Sequence, residues 1–417
     1  MKRGELIVTL DVGSTKTCVL VAEVYPISSN GDNPSVDLYN RFNIIGMGVA
    51  PSKGIKKGVV VNIEEASGSI RRAVEEAGSR SGVDIKAVYT SIKGRHIEYI
   101  NSHGVVAIRG REVTDDDVQG AVDSAKAVAI PFDRRILHVI TKGFSINGQN
   151  GIYDPRGMQG VRLEADVGLI TADAMSVHNL MKACERAGFE VIDIVFEPLA
   201  TSTTILSEEE RGIGVGLIDT GGGTTDIALF HEGSICYTSI IPVGGINFTH
   251  DISMGLRTLP RDAEDIKKRC GLAMVSLIKD DEEIDVGYSD ERPVKRIPKG
   301  HLIEIIQPRA EELLCLIRDE LRKSGYYGMM AGGIVLTGGG ALLNGIDVMA
   351  ENILELPVRM GSIRHGLDIP DDLNNPAFTS SIGLLLYNVE GLLRESAMGK
   401  ERFIRGIIAR LRNIIKF

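Results

Sequence analysis

Two segments of the chain carry the residue types that handle phosphate and a divalent cation. The first runs Leu6-Ile-Val-Thr-Leu-Asp11-Val-Gly13-Ser14-Thr15-Lys16-Thr17-Cys-Val-Leu-Val21, and the second Gly214-Val-Gly-Leu-Ile-Asp219-Thr-Gly221-Gly222-Gly223-Thr224-Thr225-Asp226-Ile-Ala-Leu-Phe230. Glycine lets a backbone approach a phosphate closely and aim successive N–H groups at it. Ser14, Thr15, Thr224 and Thr225 add hydroxyl donors, and Lys16 supplies a point charge suited to β- and γ-phosphates. Asp11 and Asp219, one per segment, are the candidates for Mg²⁺, which keeps several waters and takes one or two carboxylates beside the phosphates. The same Asp and Gly residues would also serve plain turn geometry. Repetition separates the two readings. Aligning Asp11 with Asp219 superposes Gly13 on Gly221 and Thr17 on Thr225, about half the chain apart.

In each copy an apolar run, a short Gly/Ser/Thr turn and a second apolar run predict a β-hairpin. Two such hairpins facing across a cleft make a clamp for one nucleoside triphosphate. Neither GxxxxGK[ST] nor a GxGxxG that follows a strand and opens a helix occurs, so two familiar phosphate-binding designs are excluded. The 417 residues exceed what one core organises, which predicts several units of about 100–200 residues. A net charge of −9, from 47 basic and 56 acidic side chains, argues against a polyanion-binding surface over the whole molecule, so no nucleic-acid partner is expected. The 5 cysteines are dispersed without CxxC spacing and read as packing thiols of a reduced compartment. Asp11 and Lys16 interrupt the first apolar run, so no signal peptide is expected, and no stretch approaches the ~20 apolar residues that cross a bilayer.

With these residues in place, the chain resembles the actin/Hsp70/sugar-kinase ATPase superfamily. Asp11 to Lys16 is similar to its first phosphate motif, Asp219 to Asp226 to its second, and Gly332-Gly-Ile-Val-Leu-Thr-Gly338-Gly339-Gly340 to its adenosine motif. Phe196-Glu197-Pro198-Leu-Ala200 resembles the first connection between lobes, and Phe378-Thr-Ser-Ser-Ile-Gly383-Leu-Leu-Leu386 the second. The resemblance implies an α/β, actin-like two-lobed ATPase fold of duplicated ribonuclease H-like halves, with five-stranded sheets and with ATP and Mg²⁺ in the cleft. It implies that Gly244 and Gly245 approach the phosphates or ribose, that Glu264 accepts from ribose hydroxyls, and that Lys267 lies along base and sugar. An exposed helical ion pair is the alternative for Glu264 and Lys267, which stand three residues apart. Glu197 occupies the position of the residue that orients the attacking water, a principal task of protein in phosphoryl transfer. Capping the helix opened by Pro198 is the alternative. At most slow ATP hydrolysis is expected.

The stretches Ile92-Lys-Gly94-Arg-His96, Gly148 to Leu163 and Ile44 to Val60 extend the likeness over almost the whole chain, to the FtsA family of bacterial cell-division proteins. The layout this implies is a first lobe in residues 1–83, completed by 166–198 and about 376–392, with a family-specific inserted subdomain in 84–165. The second lobe then spans 199–375, with a smaller subdomain at about 237–307, and a linker at 393–400 leads to a terminal helix at 401–417. In the insertion, Thr114 suits an N-cap, with Asp115, Asp116 and Asp117 at the positive end of a helix reaching about Ala129.

The family likeness also implies a polymer-forming protein that tethers FtsZ filaments to the cytoplasmic face of the membrane at the division site and recruits later division proteins. Arg292, Lys295, Arg296 and Lys299 are candidates for pairing with the acidic C-terminal tail of FtsZ, although a solvated turn would carry the same charges. In 401–417, Phe403, Ile404, Ile407, Ile408, Leu411, Ile414, Ile415 and Phe417 share one side of a helical wheel, with Arg402, Arg405, Arg412 and Lys416 opposite. That is the pattern of a helix lying in an anionic membrane interface, or of an amphipathic helix packed on a partner. A sugar-type kinase is the rival reading, and it would need a second pocket for its acceptor.

Overall fold

The structure, a computed structural model, describes residues 4–25, 41–110, 112–127, 130–278, 282–286, 295–363, 367 and 369–397. The terminal helix expected at 401–417, residues 398–400 of the linker expected at 393–400, and Arg292 lie outside the described residues, whereas residues 393–397 of that linker are helical.

β1 (Glu5–Val12), β2 (Lys16–Val24) and β3 (Phe42–Pro51) form an antiparallel meander. A short ribbon, β4 (Ile55–Lys56) and β5 (Val59–Val60), leads into α1 (Ile63–Ser81). Asn62 caps α1 by accepting from the Glu65 N–H, and Gly82 ends it in the left-handed region. β6 (Ala87–Ile92) then returns parallel to β1.

From there the chain builds a separate four-stranded antiparallel sheet from β7 (Ile97–Ala107), β8 (Arg134–Ile146), β9 (Gln149–Ile152) and β10 (Arg162–Asp173). α2 (Asp115–Lys126) covers one face of this sheet, opened by the Thr114–Asp117 capping box. α3 (Ala174–Ala187) and β11 (Glu190–Phe196) follow, and the first sheet has the order β11-β6-β1-β2-β3. The inserted unit therefore does not begin at 84 or end at 165. β6 is hydrogen-bonded into the lobe, and β10 runs on to Asp173. Parallel pairing of distant strands leaves no local sequence pattern, which is why residues 87–92 read as part of the insertion.

α4 (Glu197–Ile205) and α5 (Glu208–Ile213) lead to the second meander, β12 (Val215–Thr220), β13 (Thr225–His231) and β14 (Ser234–Ile241). After α6 (Gly245–Leu256), α7 (Pro260–Cys270), the hairpin β15 (Glu283–Val286) and β16 (Lys295–Pro298), and the long α8 (Lys299–Lys323), β17 (Ile334–Thr337) pairs parallel with β12. α9 (Ile346–Leu354), β18 (Val358–Met360) and α10 (Thr379–Ala397) complete the fold. The edges expected for the smaller subdomain, 237 and 307, fall inside β14 and α8.

The second sheet, β14-β13-β12-β17-β18, repeats the order and directions of β3-β2-β1-β6-β11. The repeat extends to register. Asp11 faces Cys18 and Val12 faces Thr17, just as Asp219 faces Asp226 and Thr220 faces Thr225.

β1 and β12 are almost wholly buried, as befits strands covered on both faces. On one side of the first sheet, Leu10, Val19 and Val21 pack with Ala73 and Ala77 of α1; on the other, Ile7, Leu20 and Val24 pack with Ile382, Leu385 and Val389 of α10. Side chains alternate along a strand, so Asp11 shares the α10 face with Ile7 and Thr9. α4 packs on α10 and also reaches β12 and β13. The two connecting helices thus cross between the sheets. All five cysteines are free, and burial pushes the thiols of Cys18 and Cys184 up to about 12. Among the described residues no helix is long and apolar enough to cross a membrane.

The inserted sheet meets its helix at close quarters. A methyl group on Gly104 of β7 would lie 2.1 Å from the Ala121 carbonyl oxygen of α2. Gly104→Ala should therefore force α2 off its sheet at a cost of roughly 1–3 kcal/mol. The expected result is faster hydrogen exchange confined to residues 97–173, with unchanged protection in β1 and β12.

Candidate nucleotide and cation site

The turns of the two hairpins face each other. A methyl group on Gly222 would lie 2.3 Å from Thr15 Cγ2, and one on Gly223 would lie 2.9 Å from Ser14 Oγ. Side chains larger than hydrogen would hold the turns apart. Each turn is pinned from behind. Ser14 Oγ accepts from Gly58 N–H at 3.1 Å, and Gly13 N–H bonds the Lys16 carbonyl at 3.0 Å. In the second turn, Gly221 N–H donates to the Thr224 carbonyl, while Gly245 and Ile246 at the start of α6 donate to the Gly221 and Gly222 carbonyls at 2.9 and 2.8 Å. Gly245 and Ile246 therefore seat the second turn, and Gly244 packs so close to it that a methyl group there would lie 2.7 Å from the Gly221 carbonyl oxygen.

Behind the turns, acid side chains from both lobes converge. Asp11, Asp219, Asp226 and Glu197 are all buried. Lys93, at the end of β6, donates to Glu197 Oε1 at 2.5 Å, and its Nζ lies 3.9 Å from the Cβ position on Gly221. This lysine was not among the expected site residues. The available signal was a charge directly after a buried strand and before Gly94. The four carboxylates outweigh the cost of burial and hold the ammonium charged, above its ordinary pKa. Burial in turn raises the carboxyls of Glu197 and Asp219, and pushes Asp226 up to about 6, with Lys93 opposing each shift.

Three hydroxyls complete the cluster, and they too were missed. Ser91 Oγ donates to Asp11 Oδ1 at 3.2 Å and Ser381 Oγ to Asp11 Oδ2 at 2.7 Å, while Ser380 Oγ donates to Asp219 Oδ2 at 2.9 Å. Glu197 is the first residue of α4, yet its side chain makes no capping hydrogen bond. It points at Lys93, and among the described residues its buried Oε2 has no partner, nor has Oδ1 of Asp226.

Lys16 lies at the site but is turned to the second connection. Its Nζ donates to the Ala377 carbonyl at 2.5 Å and lies 3.3 Å from the Phe378 ring centroid, with burial lowering its pKa. Gly338 opens a 3₁₀ turn over Gly339–Leu342, packed so tightly that a methyl group on Gly338 would meet Asp219 Oδ1 at 2.2 Å. α9 starts only at Ile346, later than a helix following directly on the glycines. Glu264 and Lys267 of α7 form an ion pair at 2.7 Å, and Lys267 also donates to the Gly245 carbonyl at 2.9 Å. The pair of the alternative reading thus exists, and it abuts the second turn.

The donor set, carboxylate and hydroxyl oxygens with two orphaned carboxylate atoms, suits a hard cation such as Mg²⁺. Among the described residues no three His, Cys, Asp or Glu side chains gather into an all-protein metal cage. Mg²⁺ does not require one where phosphates and water complete its shell.

The remaining candidates lie on the β15–β16 hairpin and after it. Arg296 pairs with Asp285 at 3.1 Å and Lys299 with Glu282 at 2.6 Å. Exposed pairs of this kind contribute little and exchange readily for another carboxylate.

Two five-stranded sheets of one topology, two crossing helices between them and an inserted sheet define an actin-like α/β fold. A family model described as cell division protein FtsA matches residues 216–383, and one described as the SHS2 domain inserted in FtsA matches 94–171. The cell division protein FtsA of Pseudomonas aeruginosa is 42% identical over 390 residues, covering 94% of this chain and 91% of that relative. That of Escherichia coli K12 is 37% identical over 405 residues (95% and 94%), and that of Bacillus subtilis 36% over 389 (93% and 84%). The chain belongs to the FtsA family of cell division proteins. Among solved structures, a chain of the PilM-PilN type IV pilus biogenesis complex superposes with TM-score 0.62 at 15% identity, over 92% of this chain and 98% of the other. MreB5 of Spiroplasma citri bound to ADP gives 0.51 at 16%, over 95% and 99%. At these identities the likeness is one of fold.

The raised Asp226 carboxyl sets a pH dependence. Its folded pKa of about 6 exceeds the ordinary 3.8, so its contribution to stability is present below about pH 4 and lost as pH rises through 6. Asp226→Asn should stabilise the nucleotide-free protein at pH 7.5, by at most about 3 kcal/mol for a shift of roughly two units. Melting temperatures at pH 4.5 and 7.5 check this: the gain must be larger at the higher pH.

Proposed function

We propose that the chain is an ATP-binding, polymer-forming division protein that links FtsZ filaments to the cytoplasmic membrane at the division site and recruits later division proteins. The observation that carries the ATP reading is the shared register of the two hairpins, in which Asp11 and Asp219 hold equivalent positions of the two sheets. Gly13, Ser14, Thr15, Gly221, Gly222, Gly223 and Thr224 would surround the phosphates, with Gly338, Gly339 and Gly340 at the adenosine and Glu264 and Lys267 at the ribose. Asp11 and Asp219 would hold Mg²⁺, which when bound neutralises charge on the phosphate oxygens.

Glu197 is the candidate for orienting a water. It has a buried carboxylate oxygen with no partner among the described residues, and Lys93 fixes the other oxygen. Slow hydrolysis suits this arrangement, because the Lys93 contact occupies one Glu197 oxygen and leaves only the other to orient a water. Glu197→Gln should leave binding of an ATP analogue nearly unchanged and remove phosphate release; unchanged turnover would refute the role.

The tether belongs to residues 401–417, which hold five basic side chains and one glutamate in a chain of net charge −9. An anionic bilayer should repel the body and attract this segment. One amphipathic helix binds reversibly, whereas linked copies on a polymer gain ~10²–10⁴-fold in avidity. Co-sedimentation with anionic liposomes tests the reading: removing 401–417 should abolish lipid binding while retaining binding of ATP and of an FtsZ tail peptide. Charge reversal at Arg296 should weaken only the peptide. Full lipid binding without 401–417 would overturn the tether.

A further inference from the structure

Ser380 and Ser381 are consecutive residues in the first turn of α10, and each is hydrogen-bonded to the cleft aspartate of a different lobe. Neighbouring residues on a helix point about 100° apart, so one turn of α10 can reach Asp219 with the first hydroxyl and Asp11 with the second. Both serines and both aspartates are buried, with Ser381 only 1% exposed. A hydroxyl in a first helical turn commonly bonds a nearby backbone carbonyl, as Thr379 does with Pro376 at 2.9 Å. These two instead donate across 161 and 370 residues of chain.

The turn that carries them is itself fixed to β17 and to α4. Thr379 Oγ1 lies 2.7 Å from Thr337 Oγ1 at the end of β17, and Thr204 of α4 donates to the Thr379 carbonyl at 3.4 Å. One turn on, a methyl group at Gly383 would lie 2.3 Å from the Ala200 carbonyl oxygen, so α10 and α4 touch backbone to backbone.

We propose that Ser380 and Ser381 are positioning residues: together they set the orientation of Asp219 and Asp11, and so make cation binding at the cleft depend on the seating of α10 against both lobes. Ser380 holds one oxygen of Asp219, and Ser381 holds one oxygen of Asp11 while Ser91 holds the other, which sets the rotation of each group and where its remaining lone pairs point. A cation shared by the two aspartates requires both rotations at once. Hydrogen-bonding partners of metal-binding carboxylates act in this way, and their loss costs roughly 10–100-fold in metal affinity.

This rests on the nucleotide reading above, and the test separates the two. Binding of a non-hydrolysable ATP analogue to the full chain is measured with Mg²⁺ and with EDTA, alongside melting temperature and direct Mn²⁺ titration followed by electron paramagnetic resonance. In the Ser380→Ala/Ser381→Ala variant, the Mg²⁺-dependent gain in affinity should fall by about tenfold or more, while affinity in EDTA is retained. The Ser380→Thr/Ser381→Thr variant, which keeps both hydroxyls, should recover most of the gain and the Mn²⁺ signal. An unchanged Mg²⁺-dependent gain overturns the proposal. So does an equal loss in Mg²⁺ and EDTA with a lowered melting temperature, the mark of a purely structural role. If the unsubstituted chain binds no analogue under either condition, the nucleotide reading itself fails, and the serine proposal with it.

Discussion

Four carboxylates, Asp11, Asp219, Asp226 and Glu197, buried around Lys93, are the constraint on which this molecule turns. Like charges in a desolvated space repel and resist ionisation. The fold counters this with Lys93 reaching across from β6, with serine hydroxyls, and with the first turns of two helices, α4 and α10, whose positive ends lie at the cluster. Compensation is incomplete. The carboxyls of Glu197, Asp219 and Asp226 keep raised pKa values, and an oxygen each of Glu197 and Asp226 has no partner among the described residues. A site built only for stability would be expected to fill those positions with apolar groups; a site built to receive a cation has reason to leave acid groups under-neutralised.

Duplication explains how such a cluster could be assembled. One meander with an aspartate near the end of its first strand, used twice in one register, yields two equivalent carboxylates whenever the copies face each other. The copies have since diverged at the partner position, where the first has Cys18 opposite Asp11 and the second Asp226 opposite Asp219. Cys18 is buried with its thiol pushed up to about 12, so it stays neutral. The extra acid and its raised pKa belong to the second copy alone.

The repeat, the turns and the capped helix at Thr114 were legible because each is written in residues adjacent in sequence. β-Rich runs around a glycine turn specify their own hairpin, and the Thr114–Asp117 box satisfies helix N–H groups locally. Lys93, Ser380 and Ser381 were not legible as site residues, because the contacts that define them span about a quarter of the chain or more. No periodicity marks a lysine that will meet a glutamate from another strand's end. The same limit misplaced the insertion: Ala87–Ile92 is an ordinary strand whose membership in the first sheet depends on parallel pairing with β1. Glu264 and Lys267 show a third case, in which spacing forecast the ion pair while only the fold shows that Lys267 also bonds the Gly245 carbonyl beside the second turn.

The helix that carries the serine pair also points toward the proposed tether in sequence. α10 has 19 residues and ends at Ala397, so it spans roughly 28 Å at 1.5 Å per residue. Its first turn is bonded to both cleft aspartates, and its middle is packed on β1, β2 and β6 through Ile382, Leu385 and Val389. A helix held this way moves as a rigid rod rather than bending. A change in the cleft that reseats its first turn must either break the packing along the first sheet or shift the far end by a comparable distance. The packing is extensive and the two hydroxyl contacts are few, so small changes should be absorbed at the serines and larger ones carried along the rod. One element thus joins the carboxylate cluster at its first turn to Ala397 at its far end.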